Sequence, residues 1–285
     1  MISDAVPLSY LPTRLASVTP IPALSDNYIW CINPHPRSAP YAVIVDPGDA
    51  APVIAHLRQH GQNLAAILIT HHHHDHVGGI GTLKAQWPQA RVFGPASCVR
   101  HGVEDVLEDG NTLRITPLGL TARVLATPGH TADHLSYVFD EWPEHPMPAL
   151  FCGDTLFAAG CGRVFDGTME QLFRSLTKLS ASLPCNTQVY AAHEYTVANL
   201  RFALAAEPDN DRIRQRLDDC LRLREQQNPT LPSTIAQELA TNPFLRSHLP
   251  ALARHLPVGL KPAHPESFSV FEALRLWKND FQAPA

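Results

Sequence analysis

Long apolar runs are missing from this 285-residue chain. None approaches the ~18 residues that a membrane-crossing helix needs, so no span is expected. A Cys-x-x-Cys pair is missing too. Cys31, Cys98, Cys152, Cys161, Cys185 and Cys220 are scattered, and they read as free thiols in a reducing compartment. No excess of positive charge exists: 22 Lys and Arg stand against 27 Asp and Glu, a net −5. That leaves no broad electrostatic footprint for nucleic acid, although a local basic site stays open. Met1–Ser17 contains Asp4, Pro7 and Pro12 and lacks a basic-then-apolar pattern, so it reads as no secretory signal. A cytoplasmic location is expected. Repeats and low-complexity tracts are absent. With 45% hydrophobic and 17% charged residues, the chain has material for a core, which excludes disorder as its main state. Proline is plentiful at 26 residues and predicts many turns. Histidine stands out: 16 residues, five of them between His71 and His76.

Length suggests one α/β domain of roughly 200 residues plus an appendage. Tyr41–Val45 reads as a buried strand stopped by Asp46-Pro47-Gly48. A helix follows, with Asp49 as N-cap, Pro52 in its first turn and Gly61 just past its end. Further strands are predicted at Ala65–Ile69, Arg91–Phe93, Ala122–Ala126, Leu135–Phe139, Ala149–Cys152 and Gln188–Ala191. Helices are predicted at Gly79–Gln86 and Met169–Ser182. After about His193 the pattern turns helical, over Ala198–Gln227, Ser233–Ala240 and Phe268–Asp280, with no strand signal.

After the strand Ala65–Ile69 comes Thr70-His71-His72-His73-His74-Asp75-His76-Val77-Gly78-Gly79. Imidazole and carboxylate together suit Zn²⁺, Fe or Mn²⁺. In an extended loop, His71 and His73 point to one side, and Asp75 and His76 turn to a second position nearby. Four donors in so short a loop exceed what one metal with an open position takes, and the crowding hints at two metals. His72 and His74 lie between the donor positions and read as neighbours. An affinity tag sits at a terminus, whereas this run is internal. Three more donors follow strand signals: His130 in Thr127-Pro128-Gly129-His130-Thr131, Asp154 in Phe151-Cys152-Gly153-Asp154-Thr155, and His193 in Ala191-Ala192-His193-Glu194-Tyr195. One such residue is more often structural. Three beside a His/Asp loop point to one site, because strand C-termini on one sheet edge converge.

HxHxDH followed by a later His, Asp and His resembles the metallo-β-lactamase superfamily. The wider match resembles its glyoxalase II family, the hydroxyacylglutathione hydrolases. It is carried by Ile21–Tyr28 (IPALSDNY), Val45-Asp46-Pro47-Gly48, Gly153–Phe157 (GDTLF) running into Gly160–Arg163 (GCGR), His193–Thr196 (HEYT) and Asn242–Arg246 (NPFLR). The resemblance spans about Ile21 to Phe281 and implies an α/β fold. An αββα sandwich over residues 1–192 would carry the metals. A smaller all-helical unit over 193–285 would bind glutathione. His71, His73 and His130 would hold a first metal; Asp75, His76 and His193 would hold a second; Asp154 would bridge both. Zinc is implied, and iron or manganese also fits. Asp75 and Asp154 become the catalytic carboxylates. The nucleophile is then a metal-bridging hydroxide, since two metals can lower its proton affinity.

The implied reaction is hydrolysis of S-2-hydroxyacylglutathione thioesters, chiefly S-D-lactoylglutathione, to glutathione and D-lactate. That is the second step of methylglyoxal detoxification. Cys152 reads as a packed strand residue and Cys161 as part of a Gly-rich turn, and neither is required as a nucleophile. Glutathione carries two carboxylates, which favour Arg and Lys. The resemblance points to Arg163 and Tyr195 near the metals, and to Arg275 and Lys278 on the last helix. Without it, that helix pair would read as a solvated face. Asp46 either orients a ligand histidine or simply opens a turn before Pro-Gly. Two positions depart from the family: Phe165 stands where many members have Tyr, and Asp133 replaces a Gly. His134 reads either as a residue that supports a ligand from behind or as a structural one. The partner is a small thioester, with no nucleic acid, no membrane and nothing that demands more than a monomer. The rival readings are a one-iron persulfide dioxygenase, a nuclease or other hydrolase of the same fold, and a metal sink without turnover.

Overall fold

The computed structural model describes residues 17–33, 41–141 and 147–282. The reading of Met1–Ser17 as lacking a secretory signal falls outside the described residues, apart from Ser17. Among the described residues, two six-stranded sheets and a small hairpin carry the fold. The first sheet follows chain order: β1 (Ser17–Ala23), β2 (Asn27–Asn33), β3 (Tyr41–Val45), β4 (Asn63–Leu68), β5 (Arg91–Gly94) and β6 (Asp105–Val106). β1, β2 and β3 pair antiparallel, and β3 to β6 pair parallel. Parallel neighbours need crossovers. Helix α1 (Ala50–Gln59) supplies the first, and α2 (His74–Val77) with α3 (Ile80–Gln86) the second. Asp49 caps α1 by accepting from the Ala51 N–H at 2.9 Å.

In β3, Ala42 and Ile44 pack with Val53, Leu57 and Leu83 of the helices. Val43 and Val45 face the other sheet, with Trp30, Val124 and Tyr137. A strand buried on both faces has no reason to alternate with polar residues, which is why it reads as one apolar run.

The second sheet contains β7 (Thr112–Ile115), β8 (Leu120–Ala126), β9 (Leu135–Phe139) and β10 (Ala149–Gly153), paired antiparallel. The hairpin β11 (Leu156–Phe157) and β12 (Gly160–Cys161) follows. Helix α4 (Met169–Ser182) then leads to β13 (Gln188–Ala191), parallel to β10, and β14 (Ser233–Thr234) closes the edge. The α4 stripe of Leu172, Leu176 and Leu179 is fully buried in the core, at the spacing the sequence showed. The tail holds α5 (Thr196–Ala206), α6 (Asp211–Glu225), α7 (Ile235–Thr241), α8 (Pro250–His255) and α9 (Ser267–Asp280).

Three local readings need correction. β1 and β2 carried no strand reading. Pro20 and Pro22 hide β1, which tolerates them because, among the described residues, it is an edge strand paired only with β2. The stretch Ala198–Gln227 is not one helical run. Pro208 interrupts it, and Asn210 starts α6 by accepting from the Arg212 N–H. Ser233–Thr234 is a two-residue strand inside the helical tail, tied to β13.

Candidate metal centre

β4, β8, β10 and β13 each end at the same region, and each is followed by a donor-bearing loop. The His/Asp segment is extended only as far as His73 and then turns into α2. Asp75 and His76 therefore leave a helical turn rather than a loop. All seven predicted donors come together. His71, His73 and His130 form one group whose donor atoms all lie within 4.8 Å of one another; Asp75, His76 and His193 form another; His71, His76 and Asp154 form a third that shares one histidine with each.

In the first group, His73 Nδ1 lies 3.1 Å from His71 Nε2 and 3.0 Å from His130 Nε2. The Arg163 carbonyl can only accept, so His130 donates to it from Nδ1 at 2.7 Å and keeps an unshared pair on Nε2. The Thr70 hydroxyl donates to Asp46 Oδ2 at 2.7 Å and faces His71 Nδ1 at 3.0 Å. His71 therefore donates from Nδ1 and also keeps Nε2 unprotonated. One proton on His73 can serve only one of these two lone pairs. Three imidazole nitrogens crowded in this way suit a shared cation. Burial, then the neighbouring imidazoles, hold His71 well below the ordinary imidazole range, and His73 and His130 are also lowered, chiefly by burial.

The second group is richer in carboxylates. His76 Nε2 lies 3.5 Å from both Asp75 Oδ2 and Asp154 Oδ1; His193 Nε2 lies 3.5 and 3.3 Å from the same two oxygens. The other Asp154 oxygen, Oδ2, lies 3.4 Å from His130 Nε2. One carboxylate thus faces both groups. His76 Nε2 and Asp154 Oδ1 are buried and make no hydrogen bond among the described residues. Buried polar atoms in native proteins normally find a partner, and here a cation would supply it. Burial opposes the charge on Asp154, yet His193 and His76 outweigh it and hold the carboxyl well below its usual range. Burial likewise opposes charge on His76, and the Asp154 and Asp46 carboxylates outweigh it upward.

The sequence left the role of Asp46 open. It is buried, accepts from the Thr70 N–H at 2.8 Å, and stands 3.1 Å from His76 Nδ1. It therefore orients His71 through Thr70 and places an anion beside His76. Two orienting residues escaped the sequence reading. Asp26 Oδ1 lies 2.7 Å from His193 Nδ1, and Asn27 Nδ2 donates to Asp75 Oδ2 at 3.1 Å. Both sit in the quoted Ile21–Tyr28 segment, but nothing local says that the β1–β2 turn reaches His193. His134 is structural: its Nε2 accepts the Asp154 N–H at 3.2 Å. Gly153 adopts φ 46°, and a Cβ there would stand 2.3 Å from Thr70 Oγ1, so only glycine lets β10 approach the His loop.

A cavity of about 550 Å³ opens over these donors and is lined further by Arg163, Tyr195, Arg275 and Lys278. Tyr195 stacks on His193 at 4.7 Å. Phe165, 64% exposed, sets its ring edge-on to His73 and His130 at the mouth. The solvated face expected of an isolated Arg275/Lys278 pair is not found. Arg275 is 3% exposed and donates to the Cys161 carbonyl at 2.9 Å, and among the described residues no carboxylate pairs with it. Burial, then the Arg275 and Arg163 charges, push Lys278 down to about 8. Cys152 and Cys161 are buried, and burial raises both thiols, which disfavours the thiolate that a nucleophile needs.

The model for the metallo-beta-lactamase superfamily matches residues 41–193, and that for the hydroxyacylglutathione hydrolase C-terminus matches residues 194–281. A hydroxyacylglutathione hydrolase of Vibrio cholerae is 48% identical over 94% of this chain and 100% of its own length. One of Pseudomonas aeruginosa is 47% identical over the same shares. Among solved structures, the BLEG-1 B3 metallo-beta-lactamase superposes with a TM-score of 0.60 at 23% identity, covering 80% of this chain and 99% of its own. ETHE1 from Myxococcus xanthus superposes at 0.53 with 27% identity, covering 82% and 100%. With two relatives aligned end to end and both halves matched, the chain belongs to the hydroxyacylglutathione hydrolase family of the metallo-beta-lactamase superfamily.

Proposed function

We propose that residues 1–192 hold two divalent cations, that residues 193–285 receive glutathione, and that together they hydrolyse S-D-lactoylglutathione to glutathione and D-lactate. The observation that carries this reading is the shared opening of the donor cluster and a cation-walled cavity. His71, His73 and His130 would hold one cation and Asp75, His76 and His193 the other, with Asp154 facing both groups. When bound, the cations supply Lewis acidity that activates water and polarises the thioester carbonyl. Zinc suits this donor set, and iron or manganese also fits. The protein's own part is to keep His71 and His130 in the tautomer that presents Nε2, through Thr70 and the Arg163 carbonyl. Asp75 and Asp154 stay ionised. Arg163, Arg275 and Lys278 attract the carboxylates of the glutathione moiety, and Tyr195 forms the wall over His193. The enzyme acts as a monomer in the cytoplasm. The persulfide dioxygenase alternative is not favoured, because the match to the hydrolases includes the helical tail.

Steady-state hydrolysis of S-D-lactoylglutathione by the metal-loaded protein is the direct test. A kcat/KM above about 10⁴ M⁻¹s⁻¹ is expected. No turnover in protein shown to hold two metals would sink the reading.

Lys278 adds a pH signature. Below about pH 8 the ammonium is charged and attracts the substrate. As pH rises past that value the charge is lost, so kcat/KM should fall while kcat holds, because kcat/KM reports groups of the free enzyme. Lys278→Met should remove this alkaline limb and hold KM, at every pH, near the value the wild type reaches only above about pH 8. A limb that survives the substitution assigns it elsewhere.

A further inference from the structure

The Asn242–Arg246 motif was singled out in the sequence, yet it contributes no donor and no cavity wall to the proposed reaction. Its contacts give it another task. Asn242, fully buried, donates from Nδ2 to the carbonyls of Phe157 at 3.2 Å and Gly160 at 2.9 Å. Its Oδ1 accepts the Phe244 N–H at 3.1 Å. Glu238, also fully buried, accepts the Ala159 N–H at 2.7 Å and Asn242 Nδ2 at 3.1 Å, and Arg216 pairs with its other oxygen at 2.7 Å. Asn199 donates to the Ala158 carbonyl at 3.1 Å, and Arg275 to that of Cys161 at 2.9 Å.

The tip of the β11–β12 hairpin is therefore held, residue by residue, by side chains of the helical tail. It needs holding, since Ala159 adopts φ 54°, a left-handed conformation unusual for a residue with a Cβ. The hairpin also connects the two halves of the proposed site. It starts just after Asp154. Its Phe157 ring meets His193 and Tyr195, at 5.8 and 5.2 Å. It leads into Arg163, whose carbonyl fixes the His130 tautomer. Phe244 of the motif lies beneath the Arg275 guanidinium at 5.2 Å.

We propose that Asn242, supported by Glu238, is a positioning residue for substrate binding. It sets the hairpin against the helical tail so that Phe157, Arg163 and Arg275 stand at the spacing a glutathione thioester requires. This rests on the hydrolase reading above.

Asn242→Asp is the sharpest test, because it is isosteric and keeps the cap on Phe244. Its second oxygen would face two carbonyls and the Glu238 carboxylate, all acceptors. Expected are amide exchange in the 156–163 peptide at least about tenfold faster, a KM for S-D-lactoylglutathione raised about tenfold, weaker glutathione binding by calorimetry, and kcat and metal content held within about twofold. Glu238→Gln is the second variant, should the first not fold. Its amide N–H must oppose either Arg216 or the Ala159 N–H, so the same pattern is expected. Faster exchange with KM and glutathione affinity unchanged would reduce the motif to scaffold and overturn the proposal. So would unchanged exchange, or a loss confined to kcat or metal content. A wild-type protein without hydrolysis would remove the hydrolase reading instead, and the exchange data would still decide whether the grip exists.

Discussion

Asp154→Ala should lower kcat/KM on S-D-lactoylglutathione by about 10³-fold or more, the scale of losing one preorganised charged group at a reacting centre. The reason lies in the two faces of this carboxylate. Oδ1 stands 3.3 Å from His193 Nε2 and 3.5 Å from His76 Nε2, while Oδ2 stands 3.4 Å from His130 Nε2. Among the described residues no other carboxylate stands this close to histidines of both groups. Truncation leaves the second group with His76, His193 and Asp75, and it removes the anion whose charge would offset the two proposed cations. Metal content should drop from two per chain toward one. Asp154→Asn separates geometry from charge, since it keeps the shape and one carbonyl oxygen. A variant that retains both metals and full turnover would show that Asp154 merely shapes the β10 turn.

Asp46→Asn should cost about 2–4 kcal/mol of stability and 10- to 100-fold in metal affinity, although Asp46 is no proposed ligand. Asp46 sits at φ 52°, which Asn tolerates as Asp does, so the backbone is spared. What changes is the proton order. The carboxylate accepts from Thr70 N and from Thr70 Oγ1, and it stands as an anion 3.1 Å from His76 Nδ1. An amide cannot. If its N–H donates to Thr70 Oγ1, the hydroxyl proton turns toward His71 Nδ1 and forces the imidazole proton onto Nε2, where a metal should bind. His76 simultaneously loses the anion that stands 3.1 Å from its Nδ1. Calorimetric unfolding should show Tm lower by several degrees, and competition with a chelator should show the weaker metal binding. An unchanged Tm with full metal content would return Asp46 to a plain turn residue before Pro47-Gly48.

Much of this protein was legible because its strands are buried on both faces and its turns are marked by Pro and Gly. β3, β9, β13 and α4 read to the residue. β1 did not, since Pro20 and Pro22 mean something different on an edge than in a centre. The break in 198–227 was written in Pro208 and Asn210 but masked by the charged helical pattern around it. The convergence of the candidate donors was legible because metal chemistry needs specific atoms: His71, His73, Asp75, His76, His130, Asp154 and His193 all follow strands, and the fold brings them together.

The sequence by itself determined the α/β class, the donor types and the likeness to the hydrolase family, because strand periodicity and donor chemistry are local properties. The tertiary structure alone decided which donors face each other and which residues orient them. Asp26 lies 167 positions from His193, and Asn242 lies 82 positions from the Gly160 carbonyl it holds. Hydrogen bonds are made across space at about 3 Å and leave no periodic mark along the chain. For the same reason, only the fold turned Arg275 from an exposed cation on a terminal helix into a buried one aimed at the cavity.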